Sequence, residues 1–182
     1  MASEDIDIHS AGKLQENVQD LQVFIHTQED LNMRIHAALD QQYFVEAISL
    51  STHQLHAILR RGLWVLSQLS IIQKSPEALQ DKDLKRILGD SHSGMPEGVP
   101  SKELFFAAEK FGFLPDDAGT ELGSLMDAAK MLQRDMFDKT DHKQDERYAS
   151  LGEIAVTLSK RTGEYLDALK IEAQKLHEVL HV

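Results

Sequence analysis

The chain has 182 residues, with 30 acidic and 19 basic side chains and a formal net charge of −11. That surplus of acid excludes a broad electrostatic grip on a nucleic-acid backbone, which draws on clustered Lys and Arg. Hydrophobic residues at 42% and charged residues at 27% are the balance of a folded domain with one core, and the absence of cysteine excludes disulfides, thiolate metal sites and cysteine nucleophiles together.

The opening MASEDIDIHS is acidic where a signal peptide would be basic and then apolar, and no apolar run approaches the roughly 20 residues needed to span a bilayer. The expectation is a cytoplasmic protein without a membrane segment, with a disordered tail over 1–12 and a single helical domain over 13–182. From Lys13 to Leu39 the apolar residues Leu14, Val18, Leu21, Ile25, Ile35 and Leu39 follow a three/four spacing, which predicts a first helix. Gln28 and Asn32 fall on the same stripe, so this helix has a polar notch. A second series runs from Phe44 to Leu69 and covers so much of the helical circumference that it predicts a central helix, buried on several sides.

Ser75-Pro76 has the chemistry of a helix start, and Glu77 to Leu88 suits a short amphipathic helix ending at Gly89. The Gly- and Pro-rich stretch from Gly89 to Pro100 is expected to be a mobile loop. Ser101 is placed to cap a helix carrying Leu104, Phe105, Ala108 and Phe111, with Gly112 as its left-handed stop. Asp116 or Asp117 suits the cap of the next, whose stripe runs from Leu122 to Met136. Asp141 and Gln144 have capping-box spacing for a final helix with apolar residues at near-heptad intervals from Tyr148 to Leu180. Unbroken, it is about 60 Å long at 1.5 Å per residue, so either it breaks at Gly163 or its end packs on a second subunit. The sum is an all-α, up-and-down bundle of five or six helices with a long C-terminal helix, expected to form a homodimer.

FVEAISLSTHQLHAILRRGL, then ELGSLMDAAKMLQRDMFDK, then a polar break and a long helix give an order that resembles the HEPN family (higher eukaryotes and prokaryotes nucleotide-binding) over roughly Tyr43 to Leu169. The resemblance implies a HEPN-like bundle with Glu46 as the polar residue facing the site and Arg134 as the Arg of the family's Arg-x(4–6)-His signature. In active members Arg and His form a metal-independent ribonuclease site, assembled across a dimer, that cleaves RNA through the 2′-hydroxyl. Here Lys139 stands at the His position, and the nearest downstream imidazole, His142, is spaced too far for the signature. Transesterification needs a group that exchanges a proton near neutral pH; Lys139 can steady a phosphate but is a poor base unless its pKa is strongly depressed. Arg134 and Lys139 also read as solvated charges favourably placed at a helix C-terminus.

Other patterns carry less. His53 and His56, with Glu46, Ser49 and Arg60, form a polar stripe on the second helix that suits a nucleotide pocket, a dimer cleft or an exposed face. RILGDSH holds an Arg-x(5)-His in Arg86 and His92, but outside the helix order of the family. HEVLH at His177 to His181 has zinc-peptidase spacing without a downstream third ligand, at a terminus where helices fray. Asp135 and Asp141 lack the recurrence of a two-metal site, and no phosphate loop exists, so no metal or cofactor is expected.

The resulting expectation is a degenerate HEPN-like protein that binds a nucleotide or a protein partner, in a toxin–antitoxin or stress-response setting. Two alternatives stand beside it: a ribonuclease using Arg134 with His142 or another imidazole, and a purely structural helical interaction module.

Overall fold

The broad apolar series after Phe44 becomes the centre of the structure. A computed structural model describes residues 8–72, 100–138 and 143–180, and among these residues every regular element is a helix: α1 (Ile8–Asp40), α2 (Phe44–Ile72), α3 (Ser101–Lys110), α4 (Ala118–Asp138) and α5 (Gln144–Leu180). Helix α2 touches all four others, and its pairing with α5 is the most extensive in the fold. Leu55, Ile58, Leu59, Leu63 and Val65 of α2 are fully buried, as are Leu151, Leu158, Leu169 and Leu176 of α5. The helix expected over 77–88 and the loop expected over 89–100 lie outside the described residues, apart from Pro100.

Three anchors set the directions. The Tyr148 hydroxyl donates to the Gln42 carbonyl in the α1–α2 turn, and the Tyr148 and Phe44 rings meet at 4.9 Å, so α2 and α5 begin at the same end and run parallel. Helix α1 is antiparallel to both, joined to α5 by Lys170 and Glu29 at 2.8 Å. Helix α4 is antiparallel to α5, tied by the Arg161 fork on Glu121, with nitrogen–oxygen distances of 3.0 and 3.1 Å. The result is the expected up-and-down arrangement, with α1 and α4 running opposite to α2 and α5.

Several boundaries differ from expectation. Helix α1 begins at Ile8 rather than Lys13, so the last part of the expected tail, 8–12, is helical; Ile8, Ala11 and Leu14 continue the three/four spacing without a proline to stop it. Helix α5 runs through Gly163 as one element of 37 residues. An isolated helical glycine costs only about 1 kcal/mol relative to Ala, which the flanking packing outweighs. The far end of α5 is covered within the chain: with Glu29 on Lys170 in an antiparallel pair, buried Leu21 lies at the level of buried Leu176.

Caps also move. Ser101 is the first helical residue of α3, and the cap position belongs to Pro100, whose carbonyl accepts from Glu103 and Leu104 at 3.0 and 3.1 Å. Asp117 precedes α4 in a left-handed conformation at φ +67°, away from the extended backbone a capping Asp adopts. The carboxylate at this helix start comes instead from Glu109, whose Oε1 accepts from the Gly119 N–H at 2.6 Å.

Two helices end in the same Schellman arrangement. After α3, Gly112 at φ +75° donates to the Glu109 carbonyl and Phe113 to that of Ala108, at 2.9 and 2.8 Å. After α1, Gln42 at φ +62° donates to Leu39 and Tyr43 to Ala38, at 2.9 and 2.7 Å. A Cβ on Gln42 makes this conformation costly, whereas Gly112 adopts it freely.

The polar notch of α1 is buried too. Gln28 is 6% exposed and faces fully buried Gln54 of α2, whose Nε2 donates to the Gln28 backbone carbonyl at 2.6 Å. Register along the three long helices places Asn32, Ser51, Ser159 and Thr162 at the same level. Above this layer the Arg61 guanidinium sits 5.2 and 5.7 Å from the ring centroids of Phe24 and Trp64, and burial lowers its pKa from the ordinary value.

Two substitutions probe this packing. Gln42→Gly should raise the free energy of unfolding by about 0.5–1 kcal/mol, because the αL strain is relieved while the Tyr148 bond to the backbone carbonyl persists. Gly62→Ala should lower it by about 1–3 kcal/mol, because the new methyl overlaps the Phe113 ring. Urea denaturation of each variant measures both.

Candidate functional site

On α2, Glu46, Ser49, His53, His56 and Arg60 recur at three/four spacing and share one face. Its two ends differ. Glu46 and His53 are exposed, whereas His56 and Arg60 are half-buried. The His56 ring lies 6.0 Å from that of Phe105 on α3. Among the described residues His56 Nε2 and Arg60 Nε are enclosed without a hydrogen-bond partner, and Arg60 forms no ion pair. At an i,i+4 separation the two side chains are neighbours, about 5–6 Å apart at Cβ. Glu46 is ten positions before His56, about 15 Å along the axis, too far to neutralise either group.

Helix α4 adds a further cation. Lys130 lies near enough to act on His56 electrostatically; its own exposed contact with Asp127 is long, at 3.7 Å. Burial lowers the His56 pKa from its ordinary value, and Arg60, His53 and Lys130 push in the same direction by like-charge repulsion. In a chain of net charge −11, the surroundings of His56 thus concentrate positive charge.

Arg134 is one turn beyond Lys130 on the same face of α4, displaced toward the His53 end of α2 because the helices are antiparallel. Its side chain is 67% exposed, with Nε 3.9 Å from the Asp135 carboxylate. That is the solvated helix-end charge weighed above. Lys139 and His142 lie outside the described residues, as do Asp141, Arg86 and His92. Of the sequence candidates, the structure places His53 near His56 on α2 and leaves Glu46 at the distant end of that face; among the described residues no contact joins Arg134 to them.

Lys130 and Phe105 are the members that sequence reasoning missed. Lys130 carried only one signal, its four-residue spacing from Arg134; nothing local in the sequence links it to His56. In HEVLH, His177 is half-buried near the end of α5, while His181 lies outside the described residues. Among the described residues no three of His, Cys, Asp and Glu are grouped to hold a metal ion, and no helix is long and apolar enough to cross a membrane. In comparisons with known proteins, the chain matches no family model, no curated protein and no solved structure.

The lowered His56 pKa has a defined consequence for stability. The unfolded chain binds a proton near the ordinary His value of 6.5, the folded chain only at lower pH, so stability falls as pH drops through the interval between the two. His56→Gln should flatten this part of the profile. Urea midpoints between about pH 7.5 and about pH 5 for both proteins test it.

Proposed function

We propose that the chain is a degenerate HEPN-like helical protein that acts by binding a nucleotide or a protein partner rather than by cutting RNA, in a toxin–antitoxin or stress-response setting. The HEPN-like part of this reading is supported by the order of a broad central α2, an α4 with Arg134 near its end, and a long α5. The binding part is carried by one observation: His56 and Arg60, enclosed on α2 without hydrogen-bond partners among the described residues, stand with His53 and Lys130 as a basic cluster in an otherwise acidic chain. The non-enzymatic part rests on Lys139 at the position where the resemblance calls for the proton-transferring imidazole.

A ribonuclease reading is favoured to one extent: Arg134 follows Lys130 by one turn of α4, so an Arg shares a helix face with a cation within electrostatic reach of His56. Cleavage of RNA at low salt separates the two, since screening then masks a small basic pocket least. The unmodified protein should give no metal-independent cleavage, and Lys139→His should create cleavage that Arg134→Ala removes, because Arg134 would stabilise charge developing on the phosphate. Robust cleavage by the unmodified protein, lost in Arg134→Ala and in His142→Ala, would establish the ribonuclease.

The homodimer belongs to this proposal on a changed footing. With Leu169 and Leu176 covered inside the chain, a second copy has to use apolar side chains left outside, such as Met131 at 59% and Phe137 at 83% exposure on α4. Light scattering at micromolar concentration should give twice the chain mass, reduced toward one chain in Phe137→Glu.

A further inference from the structure

We infer that His56 and Arg60, with Lys130 at the edge, form a binding site for a phosphoryl group, either free phosphate or the terminal phosphate of a nucleotide. The geometry is that of a site built for an acceptor. Two side-chain nitrogens on consecutive turns of α2 are enclosed on the same face, and among the described residues neither Arg60 Nε nor His56 Nε2 has a hydrogen-bond partner. Enclosed donors left in this state destabilise a fold, and an anion bearing several lone pairs satisfies both at once. Phe105 against the imidazole excludes water from one side and so strengthens the charge interactions that remain. Lys130, whose exposed pairing with Asp127 is weak, can turn to the anion at little cost.

A phosphoryl group fits better than a carboxylate. The groups come from two helices, His56 and Arg60 from α2 and Lys130 from α4, and a tetrahedral anion offers oxygens in several directions where a carboxylate offers two in one plane. Among the described residues the titratable and charged groups acting on His56 are His53 and Arg60 of α2 and Lys130 of α4, all basic, and Phe105 of α3 is neutral. No acidic group among them therefore holds a proton on His56. A bound dianion does, and binding is coupled to proton uptake.

The site lies in the basic cluster of the binding reading above and rests on it, yet the two fail differently. The full chain, labelled at histidine, is titrated with inorganic phosphate, adenosine monophosphate and acetate while imidazole resonances are followed by NMR, the His56 signal being identified with His56→Gln. Phosphate and the nucleotide should shift the His56 signal saturably, and acetate at equal concentration should not. Arg60→Gln should weaken binding about tenfold or more, and Lys130→Gln about two- to threefold. Sulfate, which keeps its double charge where phosphate loses one, should bind several-fold more tightly at about pH 5.5 than at about pH 7.5 as His56 becomes charged.

Tighter binding of the nucleotide than of phosphate identifies the nucleotide as the source of the group; equal binding identifies free phosphate. Absence of a saturable His56 shift with either ligand, acetate binding as well as phosphate, or unchanged affinity in a folded Arg60→Gln would overturn the site. Should Arg60→Gln not fold by circular dichroism, the titration of the unmodified chain decides alone. Nucleotide binding without any change at His56 removes this site and leaves the binding reading standing. Phosphate held at His56 with the nucleotide refused confirms the site and removes the nucleotide from that reading.

Discussion

The parallel packing of α2 against α5 is the constraint on which the other elements depend. Both helices bury series dominated by large apolar side chains, from Leu55 to Leu69 in one and from Leu151 to Leu176 in the other, and close packing of such surfaces dominates the stability of a helical bundle. Because α2 is apolar around most of its circumference, it cannot lie at the surface. Helices α1, α3 and α4 are recruited to cover what α5 leaves open. The one stretch of α2 that does not need cover is the polar face of His53, His56 and Arg60, and there the candidate site forms.

The joints around this pair use backbone chemistry more than side-chain charge. The α1–α2 turn is fastened to α5 through a main-chain carbonyl, that of Gln42, and α3 meets α4 where the Glu109 carboxylate caps the amide of Gly119. Close approach at these joints requires small residues: a Cβ on Gly152 would come within 3.0 Å of the Phe44 ring. Exposed ion pairs such as Lys170 with Glu29 fix orientation, but pairs of this kind add little to stability in water. The buried contact of Gln54 with the Gln28 carbonyl is different in kind, since slipping α1 by one turn would leave the Gln54 amide without this partner in the interior.

Legibility in the sequence followed the range of the interaction involved. The stop at Gly112 was readable because an αL residue after a helix is a local requirement. Gln42 adopts the same conformation and gave no such signal, since tertiary contacts of Phe44 and Tyr148 hold it there. Gln28 was visible as a notch, while its partner Gln54 was hidden in a helix read as broadly apolar. Among the site residues, His56 and Arg60 could be placed on one face by counting, and their lack of partners could not be counted at all.

The sequence by itself determined an all-helical chain, the central place of α2 and the shared face of Glu46, His53, His56 and Arg60, because each follows from a period of 3.6 residues acting within one segment. Only the tertiary structure decided that α1 covers the far half of α5, that Glu109 caps α4, that Phe105 packs against His56 and that Lys130 comes within electrostatic reach of it. Those relations depend on the directions and registers in which helices pack. Interdigitating side chains set them across the core, and periodicity along a single helix is the same for every register.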